Sequence, residues 1–117
     1  MHIKIKELVG VNAMTLEDGE AVFTRIHAPL VRGERVALDF DGVQVFASPF
    51  FNAGIGRLLG DIPADALNQQ LQFEHLSDFG GRVMRRVIEN AKEYYAVPLD
   101  RRRAVDRAVM GTMAAAD

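Results

Sequence analysis

The chain has no cysteine, which removes disulfides, thiolate nucleophiles and cysteine-based metal sites together and fits a reducing compartment. Long apolar runs are also missing. Nothing approaches the roughly 20 consecutive apolar residues of a spanning helix, and Met1 to Gly10 alternates charged and aliphatic residues without the apolar stretch of a signal segment. The sequence therefore predicts a cytoplasmic protein with no membrane contact. An excess of one charge is lacking as well: the net charge is -2 and the pI about 5.9, which argues against a nucleic-acid or membrane surface spread over the whole molecule. There are no repeats, low-complexity tracts or Pro/Gly-rich linkers. No Gly-x-Ser-x-Gly, phosphate-cradling loop or dinucleotide fingerprint occurs, so no cofactor is expected.

What is present suffices for one domain. The 117 residues include 49% hydrophobic and 26% charged side chains, enough for a core and too few residues for two domains. Ile3 and Ile5, and further on Leu8, alternate with Lys4 and Lys6 as in a half-buried edge strand. Thr15 is placed to cap a helix, with Asp18 in a near-capping-box and Val22, Phe23, Ile26 and Leu30 at helical spacing. Pro29 should end or kink it, and Gly33 makes the turn. Arg35 to Phe40 is nearly continuously apolar, as in a central strand. Asp41-Gly42 then leads to Val43–Phe46, either a hairpin partner or a continuation past a bulge.

Ser48-Pro49 reads as a helix start, with serine the N-cap and proline at the first helical position. Gly54 and Gly56 in that helix suggest close packing on the sheet, and Gly60 closes it. Pro63 starts a further turn, Leu71 and Phe73 mark another strand, and Ser77 or Asp78 caps the most amphipathic helix, with Val83, Met84, Val87, Ile88 and Ala91 inward. From Leu99 the tail is weakly amphipathic. The order is an alternating α/β pattern, which predicts a mixed or mostly parallel sheet packed against helices.

The segment Val36 to Leu59, with its Leu38-Asp39-Phe40 strand, Gly42-Val43 and Ser48-Pro49 helix entry, resembles the bacterial STAS-like domain family of unknown function. That family is distantly similar to anti-sigma-factor antagonists. The resemblance runs on to Tyr95, giving a STAS-like domain over 1–95 and a C-terminal helical extension over 96–117. It implies a non-catalytic regulatory or protein-interaction module, partner-switching with a histidine-kinase-like ATPase or another regulator. In the antagonists a serine at the start of the helix after the central strand is phosphorylated. Their Asp-Ser-Ser-Gly motif falls on Ala47-Ser48-Pro49-Phe50, so the second serine is Pro49 and Ser48 is the one phosphoacceptor left.

The candidate partner-binding residues are therefore Ser48, Pro49, Phe50, Phe51 and Asn52, with one of the two phenylalanines exposed as an anchor if they point apart, against the somewhat favoured alternative that both are core. Two other readings stand beside this. Asp39 and Asp41, two residues apart, could hold a divalent metal at a strand end and make the chain a metal-dependent enzyme or enzyme subunit. Arg101, Arg102, Arg103 and Arg107, with Arg82, Arg85 and Arg86, could serve a nucleic-acid-associated accessory factor, though solvated helix faces often look the same. His2, His27 and His75 are scattered without metal-ligand spacing. The tail helix is a candidate homodimer contact.

Overall fold

The computed structural model describes residues 1–96. The expected tail helix, its arginine group and the dimer contact assigned to it lie outside the described residues. The elements follow in the order β1 (His2–Lys4), α1 (Ile5–Val9), β2 (Asn12–Ala13), α2 (Leu16–Val31), β3 (Val36–Asp39), β4 (Val45–Phe46), α3 (Ser48–Gly54), a 3-10 turn (Gly56–Gly60), α4 (Ala64–Gln70), β5 (Leu71–Glu74) and α5 (Asp78–Ala96). The fold is α/β, as the sequence predicts.

Two parallel sheets carry it. The larger runs β1-β3-β5, and the smaller pairs β2 with β4. β1 is an edge and β3 the centre, as their patterns indicate. Register places Ile3 beside Leu38 and Leu38 beside Phe73, so one face of the larger sheet is apolar. Successive side chains alternate between faces, and the opposite face therefore carries His2, Lys4, Ala37, Asp39, Gln72 and Glu74. Parallel sheets normally have both faces covered. Among the described residues this second face stays open, with His2, Lys4 and Gln72 exposed.

Four local expectations change. The alternation through Ile5 is not one strand: Ile5, Leu8 and Val9 are spaced i, i+3, i+4, and Ile5 begins a helical turn that buries it completely. Pro29 sits inside α2, which continues to Val31. Its missing N–H falls in the last turns, and the helix closes beyond it with Arg32 donating to the Ala28 carbonyl and Gly33 at φ 87°. Val45–Phe46 is neither a hairpin partner nor a continuation of β3. Phe40 to Val43 forms a turn closed by Val43 N–H donating to the Phe40 carbonyl, with Gly42 at φ 83°, and the chain leaves to pair with β2. Gly54 at the end of α3 and Gly56 at the start of the 3-10 turn pack on helices rather than on the sheet. A Cβ on Gly54 would meet the Gly19 carbonyl at 3.1 Å, and one on Gly56 would meet Val87.

The starts of α2 and α5 follow sequence chemistry. The Thr15 hydroxyl accepts from the Asp18 N–H at 3.1 Å, and the Ser77 hydroxyl accepts from Gly80 N–H at 3.1 Å, each satisfying a donor the first turn leaves open. Phe40, Phe46, Phe50, Phe51 and Phe73 form one aromatic cluster between sheet and helices.

Candidate functional site

Two surfaces gather chemistry-bearing residues. The first lies at the start of α3. Ser48 is the first helical residue rather than the N-cap; Ala47 takes that place in extended backbone, and no side chain caps the helix. The Ser48 hydroxyl is thus not committed to a capping bond, and Ser48 and Pro49 are half-buried. Phe50 and Phe51 are 1% and 0% exposed. They sit edge to face at 5.3 Å, so neither is available as a surface anchor. Both fit inside because α3 is enclosed on more than one side, with Gly19 of α2 against its Phe50 carbonyl and Phe46 of β4 stacked on Phe51. Asn52 is half-buried, with its side chain against Gly56.

The apolar exposure at this end comes from other residues. Val11, Met14, Leu16 and Val45 are all at least 40% exposed. Main-chain bonds bring the segment of Val11 and Met14 against that of Val45: the N–H groups of Gln44 and Val45 donate to the Val11 carbonyl, and Ala47 N–H donates to the Ala13 carbonyl, while Leu16 begins α2 two residues after Met14. Met14 is thereby set beside the chain that enters α3. Phe79, 55% exposed, lies one residue before Gly80, where an added Cβ would touch Phe46 of β4. Sequence periodicity missed this set because Val45 belongs to one two-residue strand and Val11 and Met14 flank another, both too short to show a period.

The second surface is the open sheet face at the strand ends. Asp39 ends β3 and is the buried charged residue among those described. Its Oδ1 accepts from the Asp41 N–H at 2.9 Å and contacts His75 Nδ1 at 2.8 Å. The main-chain bond from Asp41, with the His75 hydrogen bond next, holds the Asp39 carboxyl below the ordinary carboxylate value. The same hydrogen bond to Asp39 raises the His75 imidazole above its ordinary value. His75 follows β5 at φ 56°, a left-handed conformation uncommon outside glycine. His2 Nε2 lies 2.8 Å from Glu74 Oε1 and 3.8 Å from Asp39 Oδ2.

Asp41, the expected second carboxylate, reaches Asp39 through its backbone N–H, and its own side chain is exposed. The residues that do converge on Asp39 are His2, Glu74 and His75. His27 belongs elsewhere: stacked on Phe23 at 4.6 Å, it pairs with Asp61 at 2.6 Å, joining α2 to the segment after the 3-10 turn. Arg82, Arg85 and Arg86 are exposed along α5. No helix among the described residues is long and apolar enough to cross a membrane.

The profile of the STAS-like domain of unknown function matches residues 18–80, more than half of the chain, and the chain belongs to that family. No curated protein and no solved structure shows significant similarity to it.

Proposed function

We propose that this STAS-like domain is a non-catalytic regulatory module that docks a protein partner through the surface formed by the first loop and the entry to α3. The observation that carries the reading is the cluster of exposed Val11, Met14, Leu16 and Val45 beside Ser48-Pro49. Single apolar residues are ordinary on a surface, but several exposed ones on neighbouring segments are the kind of surface a partner covers. Through the resemblance to anti-sigma-factor antagonists, the partner in this reading is a histidine-kinase-like ATPase, and the site deals with it by binding and release rather than by turnover.

Ser48 is the switch position in this reading. A phosphate on its hydroxyl would add close to two negative charges at the rim of an apolar contact and expel the partner by desolvation cost.

The test is capture from the native host on the immobilised full chain, with bound proteins identified by mass spectrometry and the purified partner re-measured by calorimetry. An ATPase that binds wild type, and binds Met14→Asp and Val45→Glu at least tenfold more weakly while binding Arg82→Glu normally, supports the surface. Equal binding by all four proteins, or no ATPase among the captured proteins, sinks it.

A further inference from the structure

The geometry points to a binding site for a first-row divalent metal ion on the open sheet face, with His2 Nε2, one oxygen of Asp39 and one of Glu74 as ligands. Each ligand comes from a different strand of the β1-β3-β5 sheet, at or near the ends of those strands. Asp39 and Glu74 are register partners on neighbouring parallel strands, and His2 enters from the edge strand on the other side of β3.

Three observations support an ion there. First, two carboxylates directly opposite one another on adjacent strands repel, and Lys4, the register partner of Asp39, forms no ion pair with it, so the groups set against the two carboxylates are the imidazoles of His2 and His75. Second, the three donor atoms already lie within 4.8 Å of one another. Two sides of that triangle, 2.8 and 3.8 Å, bracket the ~3.4 Å that a tetrahedral ion sets between ligands held at about 2.1 Å. Small side-chain rotations therefore complete the site without moving backbone. Third, the buried Asp39 uses Oδ1 for both of its hydrogen bonds. Oδ2 is left facing His2 at 3.8 Å, beyond hydrogen-bonding distance.

The supporting arrangement also suits a metal carboxylate. His75 and the Asp41 N–H hold Asp39 in one orientation through the oxygen that does not ligate, as partners behind a metal ligand commonly do. One imidazole with two carboxylates selects a borderline ion such as zinc, cobalt or manganese over calcium or magnesium, which prefer all-oxygen shells. His2 and Glu74 side chains are 48% and 41% exposed, so the remaining coordination positions face solvent and can accept an exogenous donor.

The experiment uses the untagged full chain, so that no added histidines compete, titrated with cobalt(II) and followed by its visible absorption and by calorimetry. The expected result is one cobalt per chain. His2→Ala and Glu74→Gln should abolish that site, and His75→Ala, a positioning residue, should weaken it by about tenfold. Glu17→Gln, an exposed carboxylate elsewhere, should leave it unchanged. Both ligand substitutions are at solvent-exposed side chains, and unchanged circular dichroism will establish that they fold. Absence of binding at millimolar cobalt, or equal binding by wild type, His2→Ala and Glu74→Gln, overturns the proposal. Neither outcome bears on docking through Met14 and Val45, whose readout uses a different surface.

Discussion

Asp39 at the end of the central strand and His75 just past the last strand are joined by a 2.8 Å hydrogen bond between Oδ1 and Nδ1, across 36 residues of chain. The bond ties the left-handed turn after β5 to the middle of the sheet.

Its pH dependence follows from the two shifts. His75 is raised in the folded state, so its contribution to stability is full below about 6.5, the ordinary imidazole value, and is lost as pH rises through the folded value. Asp39 is lowered, so its contribution is present above 3.8, the ordinary carboxylate value, and is lost as pH falls through the folded value. The pair therefore stabilises most between these two ordinary values. Urea denaturation with chelator present should show wild type losing stability relative to His75→Ala as pH rises from 6 to 9. Parallel profiles for the two proteins would refute the assignment. Because His75 is exposed, salt should shrink the difference.

Gly19 tests the contact between α2 and α3. In an isolated helix, Gly→Ala gains roughly 1 kcal/mol. Here the new Cβ would stand 2.4 Å from the Phe50 carbonyl oxygen and 2.8 Å from the Ala53 Cβ, and neither can swing aside. Gly19→Ala should therefore destabilise the domain by about 1–3 kcal/mol. A gain in stability on chemical denaturation would show that the two helices are not this close.

The helix starts at Thr15 and Ser48 should respond differently to alanine, although their sequences read alike. Thr15 caps α2 through its hydroxyl, and Thr15→Ala should cost about 1 kcal/mol, with Thr15→Ser recovering most of it. The Ser48 hydroxyl makes no such bond, so Ser48→Ala should fall within about 0.5 kcal/mol of wild type. A loss at Ser48 equal to that at Thr15 would place the α3 cap on Ser48 after all.

Phe51 and Met14 separate stability from docking. Phe51 is fully enclosed by Phe40, Phe46 and Phe50, and Phe51→Ala should cost about 3–5 kcal/mol. Met14 is exposed, and Met14→Asp should leave the thermal midpoint nearly unchanged while abolishing partner capture. A large fall in the midpoint for Met14→Asp would make it a folding residue and remove it from the docking surface.

The sequence by itself determined the α/β class, a central strand within residues 35–40, the cap at Thr15, a cap at Ser77 or Asp78, and the inward stripe of α5. Each of these is a local matter: a side chain reaching its own backbone, or a period of 2 or 3.6 that sorts apolar from polar residues within one element. Tertiary structure alone decided which way α3 is enclosed, and so why two adjacent phenylalanines are both interior when an amphipathic helix would bury one. It also decided where Val45–Phe46 pairs, since two residues carry no period. Above all it brought His2, Asp39, Glu74 and His75 together. No spacing along the chain announces that group, because His2, Asp39 and the Glu74-His75 pair are each separated from the next by a crossover. Only the register of three parallel strands, fixed by packing Ile3, Leu38 and Phe73 on the core face, turns their side chains toward one another on the other.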